Sequence, residues 1–421
     1  MRATVDRAGL DPQGRLPKVQ IRRVRKGDLS KVRDVMEQTF GDFLERQLGT
    51  RPRQAFGGAQ YVHHRWLMEP WGCFVAEEDS SKIVGAALAV TWGTVGVLGP
   101  VAVLTNYHNQ TIGQQLIRAA QDFFDENKAT LHGCVTYPTS PKHLYLYHKF
   151  GYRPKQLTAI MSRAIDRGPA RVSALAKAPV KTPLTARRFS TLEEAKKKAA
   201  LVRIHRITNA VCRGMDLAKE IEIVDGLALG DTVLLERGRD VIGFAICHSP
   251  GVSEAPTGAL YVKFLAIDPP QRKPEHLEQF VTLIEGFGQE LGVQRVILPV
   301  YARYWVAYNV LIQCGYQIDF TMIRMQRASR RTTRTPQTSC STTGADPRRL
   351  RGGRRRAGAA ARGGGRRPLA PSRVVARRGR DPERGAAADL AALQQPYREA
   401  AVHHSRARRA RHAAAGHDAR R

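Results

Sequence analysis

Lysine is absent from the last quarter of this chain. From Ala328 to Arg421 the sequence holds twenty-four arginines, six acidic residues and no lysine, so +18 of the formal net charge of +31 lies there. Cysteine is scarce as well. The six in 421 residues, Cys73, Cys134, Cys212, Cys247, Cys314 and Cys340, stand far apart without a CxxC pair. That spacing excludes a dense disulfide framework and a CxxC metal site, and a reducing cytosol fits it best. Long apolar runs are missing too: the longest, near Ile83 to Val90, is much too short to cross a bilayer. The first residues, MRATVDRAGLDPQGR, lack the apolar core of a signal peptide. A cytoplasmic protein without a membrane segment is expected.

What is present is patterned. VQIRRVRKGD reads as a short strand, and Leu29, Val32, Val35, Met36 and Phe40 recur at helical spacing after Asp28, a suitable N-cap. GCFVAEE and KIVGAALAVTW, separated by the polar DSS, form an expected hairpin, and VGVLGPVAVLT a third strand. Leu116, Ile117, Ala120, Phe123 and Phe124 share one face of a helix, LHGCVTYP reads as a strand, KHLYLYHKF as a short helix ending at Gly151, and LTAIMSRAI as a last strand. Much of this order returns after RGPARVSALAKAPVKTPLTAR, whose proline, alanine and basic residues have the composition of a linker. A repeat of roughly 150 residues is a duplicated domain rather than a solenoid.

Two motifs in the first half resemble the GNAT N-acetyltransferase family. The first is the strand, loop and helix of VAVLTNYHNQTIGQQLI, where the family has Arg/Gln-x-x-Gly-x-Gly/Ala and binds the acetyl-CoA pyrophosphate on loop amides. The amides that open a helix lack internal partners and attract anions. The resemblance implies coenzyme contacts at Val103, His108, Asn109, Thr111, Ile112, Gly113 and Gln114; His108 and Thr111 depart from the pattern, while Gly113 keeps it. The second motif is SPKHLYLYHKFGY, in which Leu146, Tyr147, Lys149, Gly151 and Tyr152 fall into the family's register. It implies that Tyr147 is the general acid returning a proton to the CoA thiolate, with Ser140 where the family has a coenzyme-contacting Asn. The competing reading of Tyr147 is an aromatic core residue. No acid occupies the position where many relatives carry a glutamate base, which leaves Glu77, Glu78, His63, His64 and His132, or a water relay.

The second half carries Arg272 at the first loop position but Glu275 and Leu277 at the glycine positions, and Leu311 at the tyrosine position, with Ala307 and Gly315 kept and Tyr308 one turn away. A carboxylate would repel a diphosphate and a leucine would block it, so no acetyl transfer is expected there.

The expectation is therefore an α+β protein of two tandem GNAT-type domains, each a mixed, mainly antiparallel sheet flanked by helices: an acetyl-CoA-binding domain at 19–164, a linker at 165–187 and a degenerate domain at 188–327. The tail at 328–421 offers too little apolar surface to fold. Its RGG runs could hold nucleic acid through phosphates, and its abrupt change of codon-biased composition reads equally as a shifted reading frame. HHSRARRARHAAAGH has no accompanying acids or cysteines to make a metal site. The functional expectation is acetyl transfer from acetyl-CoA, without a metal, to an amine on a small molecule or peptide. The alternatives are an acyl-CoA-sensing or interaction module without turnover, and nucleic-acid binding by the tail. The acceptor and the oligomeric state are not specified by the sequence.

Overall fold

In the computed structural model, residues 18–165 and 184–328 are described, apart from positions 53 and 80. Most of the segment read as a linker, and the basic tail beyond 328, lie outside the described residues. The first half runs β1 (Val19–Arg23), α1 (Leu29–Leu48), α2 (Tyr61–Met68), β2 (Cys73–Glu78), β3 (Ile83–Trp92), β4 (Val95–Val103), α3 (Ile112–Glu126), β5 (Leu131–Thr136), α4 (Pro141–Lys149) and β6 (Arg153–Ala164). The second repeats it as β7 (Leu184–Arg188), α5 (Glu194–Val211), α6 (Ala218–Gly226), β8 (Gly230–Arg237), β9 (Asp240–His248), β10 (Ala259–Ile267), α7 (Pro274–Glu290), β11 (Arg295–Tyr301), α8 (Trp305–Gln313) and β12 (Gln317–Ala328).

Three expectations need correction. The second half begins with β7 inside the presumed linker, four residues before position 188. Helices α2 and α6 were not anticipated: each is only two to three turns long, too short for its apolar period to stand out. Asp28 precedes α1 but does not cap it. Its carboxylate turns back to accept hydrogen bonds from the Arg25 amide at 2.7 Å and the Arg22 guanidinium at 2.6 Å. Helix α1 stops at Gly49, whose φ of 75° is the left-handed C-terminal geometry that glycine adopts without strain.

All twelve strands belong to one sheet, ordered β1-β2-β3-β4-β5-β12-β6-β11-β10-β9-β8-β7. The order reads the same from either end except at the centre, where the last strand of each half has crossed over. β12 pairs with β5 from Ile323↔Thr136 to Ala328↔Leu131, and β6 pairs with β11 from Arg295↔Ala164 to Tyr301↔Thr158. Each core is completed by the other half. Met325 of β12 packs with Leu116, Phe124 and Tyr147, and Ala159 and Met161 of β6 pack with Phe280, Ile284 and Leu311. Alternation along the strands puts α3 and α4 on one face, while a second cluster joins Trp92 and Val95 to α5 and α6.

Candidate active site

The site is built on a fork. β4 and β5 run parallel but pair only from Val95↔Leu131 to Val97↔Gly133, and then part. The beginning of β4 holds the sheet together; its end, up to Val103, pairs only with β3. Above the fork, a single turn at Thr105–Tyr107 leads through His108 into α3. Helix α3 forms because Ile112, Leu116, Ile117, Ala120, Phe123 and Phe124 bury one continuous face, and no acidic residue stands in its first turn.

Thr111 precedes α3 with φ 61° and ψ 1°, and Asn109 has φ 66°. The loop thus retains at Thr111 the left-handed conformation that glycine would adopt most readily. The Thr111 carbonyl accepts from the Gln114 amide at 2.9 Å and the Gln115 amide at 3.1 Å. The Gln114 amide is therefore already bonded. The amides of Ile112 and Gly113 have no hydrogen-bond partner among the described residues. A methyl added at Gly113 would find nothing nearer than Leu146 and Val103, both at 3.9 Å. The chain itself would accept a side chain there in ordinary van der Waals contact, and two unbonded amides at a helix start are groups suited to an anion.

His108 does not act as a loop cation. Its Nε2 lies 2.9 Å from the Val103 carbonyl, which can only accept, so this nitrogen carries the proton. Burial, then the nearby Lys142 charge, holds its imidazole below the usual value. His108 and the end of β4 are fixed to each other.

Tyr147 is buried in the core between α3, α4 and β5, with its ring edge-on to Tyr152 at 5.8 Å. Burial, with Cys134 and Tyr152 beside it, raises its pKa well above the ordinary phenol value. Both sequence readings of this residue meet here: it packs in the core, and it remains a protonated donor. Ser140 precedes α4, is buried, and makes no side-chain cap bond.

The possible bases separate. Glu77 is bound by both Arg22 donors at 2.6 Å, which holds its carboxyl below the usual range. Glu78 accepts the Tyr107 hydroxyl at 2.9 Å. His132 is fully buried against Tyr152, 3.0 Å from its hydroxyl, and burial pushes its imidazole down to about 4. His63 stacks on Trp66, and His64 lies at the seam between the halves. A further imidazole belongs to α4. The His143 ring lies tilted against Phe43 at 5.5 Å, and Phe43 also meets Tyr137 at 4.8 Å. Asp42, one residue earlier in α1, accepts the Thr105 hydroxyl at 2.9 Å. The end of α1 therefore spans from the phosphate loop to α4. Burial, then the charge of Lys142, keeps the His143 imidazole below its usual pKa. His143 lies inside SPKHLYLYHKFGY but outside the positions that fall into the family's register, and its contact with α1 is not legible in the sequence.

The second half repeats the fork, with β10 and β11 paired only from Ala259↔Arg295 to Tyr261↔Ile297. Arg272 there donates to the Ile267 carbonyl at 2.8 Å, as His108 does to Val103. The helix start differs. Pro274 removes one amide, Glu275 adds a negative charge in the first turn, and Leu277 is buried in the core. Leu311 is also core, while Tyr308 stacks on Trp305 at 5.6 Å.

At the seam, His64 Nε2 lies 2.9 Å from Glu220 and its Nδ1 lies 3.1 Å from the Ser253 hydroxyl. The order Ser–His–Glu has the form of a hydrolase triad, but all three residues have zero exposure. His64, Glu220 and Glu254 also present ligand atoms within 4.8 Å of one another. The Lys263 ammonium stands 2.6 Å from both carboxylates and supplies the positive charge that a metal would bring. This cluster joins the halves.

Residues 69–154 match the family model for an acetyltransferase (GNAT) domain. No curated protein matches. Among solved structures, a GCN5-related N-acetyltransferase from Sphaerobacter thermophilus aligns with a TM-score of 0.51 at 13% identity, over 76% of this chain and 96% of its own. A GCN5-related glucosamine N-acetyltransferase region of a fungal multi-domain β-N-acetylglucosaminidase aligns with a TM-score of 0.54 at 14% identity, over 74% of this chain and 38% of its own. At such identities the likeness is one of fold. Among the described residues no helix is long and apolar enough to cross a membrane. The matched segment runs from just before β2 to the start of β6, contains the fork, the loop before α3 and Tyr147, and is similar to a GNAT acetyltransferase domain.

Proposed function

We propose that the first half transfers an acetyl group from acetyl-CoA to a primary amine and that the second half has no transfer chemistry of its own. The observation that carries this reading is the start of α3, where the two amides of Ile112 and Gly113 are unbonded and follow a strand whose sheet forks. The Ile112 and Gly113 amides would hold the diphosphate, with Asn109 and Thr111 shaping the loop. His108 and Val103 would keep the end of β4 in line with the pantetheine arm, and Ser140 would sit at its edge.

In the reaction the amine nitrogen bonds to the thioester carbon and the carbon–sulfur bond breaks. Tyr147, kept protonated by burial, gives its proton to the departing thiolate. His143, kept unprotonated by burial, takes the proton that the amine loses. The two proton transfers require one protonated and one free group, and burial favours those states in Tyr147 and His143.

The test is calorimetric titration of acetyl-CoA into the full chain and its Gly113→Glu variant. One-site binding that is lost in the variant, together with amine-dependent thiol release by the wild type, is expected. Failure of the folded wild type to bind would overturn the reading. Binding without turnover for any amine would favour an acyl-CoA-sensing role, for which the Thr111 departure from the family loop is the observation in favour.

A further inference from the structure

Helix α1 bridges the open end of the fork, and unpaired positive charge collects there. β4 and β5 run parallel, so the turn after β4, at Thr105–Tyr107, and the segment after β5, residues 137–140, leave the sheet at the same end. The last two turns of α1 touch both. Asp42 accepts the Thr105 hydroxyl at 2.9 Å, Phe43 lies against Tyr137 at 4.8 Å, and Gln47 accepts the Thr139 hydroxyl at 3.4 Å. Alternation places α1 and α3 on opposite faces of the sheet. Ala86 and Leu88 of β3 share a core with Val32 and Met36 of α1, whereas Ala87 and Ala89 share one with Leu116 and Ala120 of α3. A thioester held by the amides that open α3 and led between the parted strands would meet its acceptor on the side of α1.

Two cations stand at this end, Arg46 in the last turn of α1 and Lys142 in the first turn of α4. They are close enough to oppose each other: burial, then the charge of Arg46, lowers the pKa of Lys142. Both charges also act on His108 and His143. Neither Arg46 nor Lys142 has a hydrogen bond or an ion pair among the described residues. Asp42 and Glu45, the acids of the same stretch of α1, are held by Arg51 at 2.8 and 3.6 Å. The dipole of α1 favours Arg46 at its C-terminal end, but Lys142 sits at the positive end of α4 and gains nothing from it. Like charges left together without a counterion repel, and an anion bound between them removes that repulsion.

We propose that Arg46 and Lys142 form a subsite for an anionic group of the acceptor, which is then a small primary amine carrying a phosphate monoester. The proposal rests on the acetyl-transfer reading and deepens it by naming the substrate class. A phosphate monoester carries roughly −1.5 to −2 charge at neutral pH, which matches two cations, and it offers three oxygens to donors arriving from α1 and α4. A carboxylate, with a single charge, would leave one cation unmatched. Lys142 directly precedes His143, the group that takes the amine proton, so a short spacer between phosphate and amine suits the site. Arg46 and Lys142 are specificity residues here and take no part in the bonds that form and break.

The test uses the full chain at about pH 8.5, above the usual histidine range, so that removing a neighbouring cation does not change the protonation of His143. Acetyl-CoA binding is measured alongside turnover. A pool of short amines bearing a phosphate monoester is compared with the same pool after phosphatase treatment and with matched carboxylated amines. The phosphorylated pool is expected to be acetylated with kcat/KM at least about tenfold above the other two, the scale of one satisfied charged contact. Arg46→Gln and Lys142→Gln should each raise KM for the phosphorylated amines about tenfold, with kcat and the acetyl-CoA Kd nearly unchanged and Tm no lower, and Arg46→Lys should rescue in part. If acetyl-CoA binds but the dephosphorylated or carboxylated amines react as well, or no pool reacts, the subsite assignment is wrong while coenzyme binding stands. If the two variants weaken acetyl-CoA but not acetyl-dephospho-CoA, the cations serve the terminal phosphate of the coenzyme and the proposal fails. A fall in Tm together with lost turnover would make the two residues structural and overturn it as well. If the wild type does not bind acetyl-CoA, the acetyl-transfer reading and the proposal fall together.

Discussion

Thr111 shows how one residue can depart from a motif without departing from its geometry. A β-branched side chain at φ 61° is strained by roughly 1–2 kcal/mol relative to the right-handed region. Thr111→Gly relieves that strain but increases the freedom of the unfolded chain, so a net stabilisation of about 0.5–1 kcal/mol is expected, read as a higher Tm, with acetyl-CoA affinity equal or tighter. A lower Tm would mean that the threonine side chain is needed where it stands. Tyr147→Phe removes a hydroxyl from the core cluster that also holds Cys134. It should lower kcat by about a hundredfold or more, the range for loss of a general acid, while acetyl-CoA Kd and Tm change little. An unchanged kcat would reduce Tyr147 to a core residue. The spacing in the sequence was enough to locate the loop and this tyrosine. It could not show that His108 is spent on the Val103 carbonyl, because an imidazole that binds backbone and one that binds phosphate occupy the same position in a motif.

At the scale of elements, the strands and longer helices were legible because their apolar periods are local, whereas their neighbours were not. Alternation tells which face a residue takes and leaves open which strand lies beside it. Nothing local in LTAIMSRAI or FTMIRMQR says that each completes the other half's core. The buried network joining α2, α6 and β10 was equally hidden, since Arg65, Glu220, Glu254 and Lys263 are ordinary surface residue types until they meet. Glu220→Gln leaves Lys263 and Arg65 with one carboxylate between them. A loss of about 3–5 kcal/mol is expected in denaturant unfolding, as for other broken buried pairs. The same interior makes the fold sensitive to acid. Burial holds His248 at about 3 and His132 at about 4, below the usual 6.5, so the unfolded chain takes up protons that the folded chain refuses. Their contribution is fully present above pH 6.5 and is lost as pH falls toward those lower values. By pH 4.5 the loss amounts to about 2–3 kcal/mol for each histidine. Glu254, held down to about 2 by Arg65 and Lys263 against the cost of burial, adds a loss of the same sign below its usual 4.5. Tm measured from pH 7.5 to 4.5 should fall, and His132→Phe should flatten the slope; a flat wild-type profile would contradict this account.

For the molecule as a whole, the exchange of β6 and β12 makes two halves of similar design depend on each other. Residues 18–165 alone would lose β12 from between β5 and β6 and expose Cys134, Phe124 and Tyr147 where Met325 now covers them. Two central strand edges would also lose their partner, which invites pairing with another chain. β6 occupies in the sheet the place equivalent to β12, so a second copy can offer its own β6 to the vacant edge of β5. The isolated first half is therefore expected to form a strand-exchanged dimer or to aggregate, and adding residues 184–328 as a separate fragment should convert it to a 1:1 complex. Light scattering after size exclusion distinguishes the outcomes. A monomeric, cooperatively unfolding fragment 18–165 would show that β12 is dispensable and that each half folds independently. The dimer or the rescued 1:1 complex would mean that the first half has no complete core without the last strand of the second.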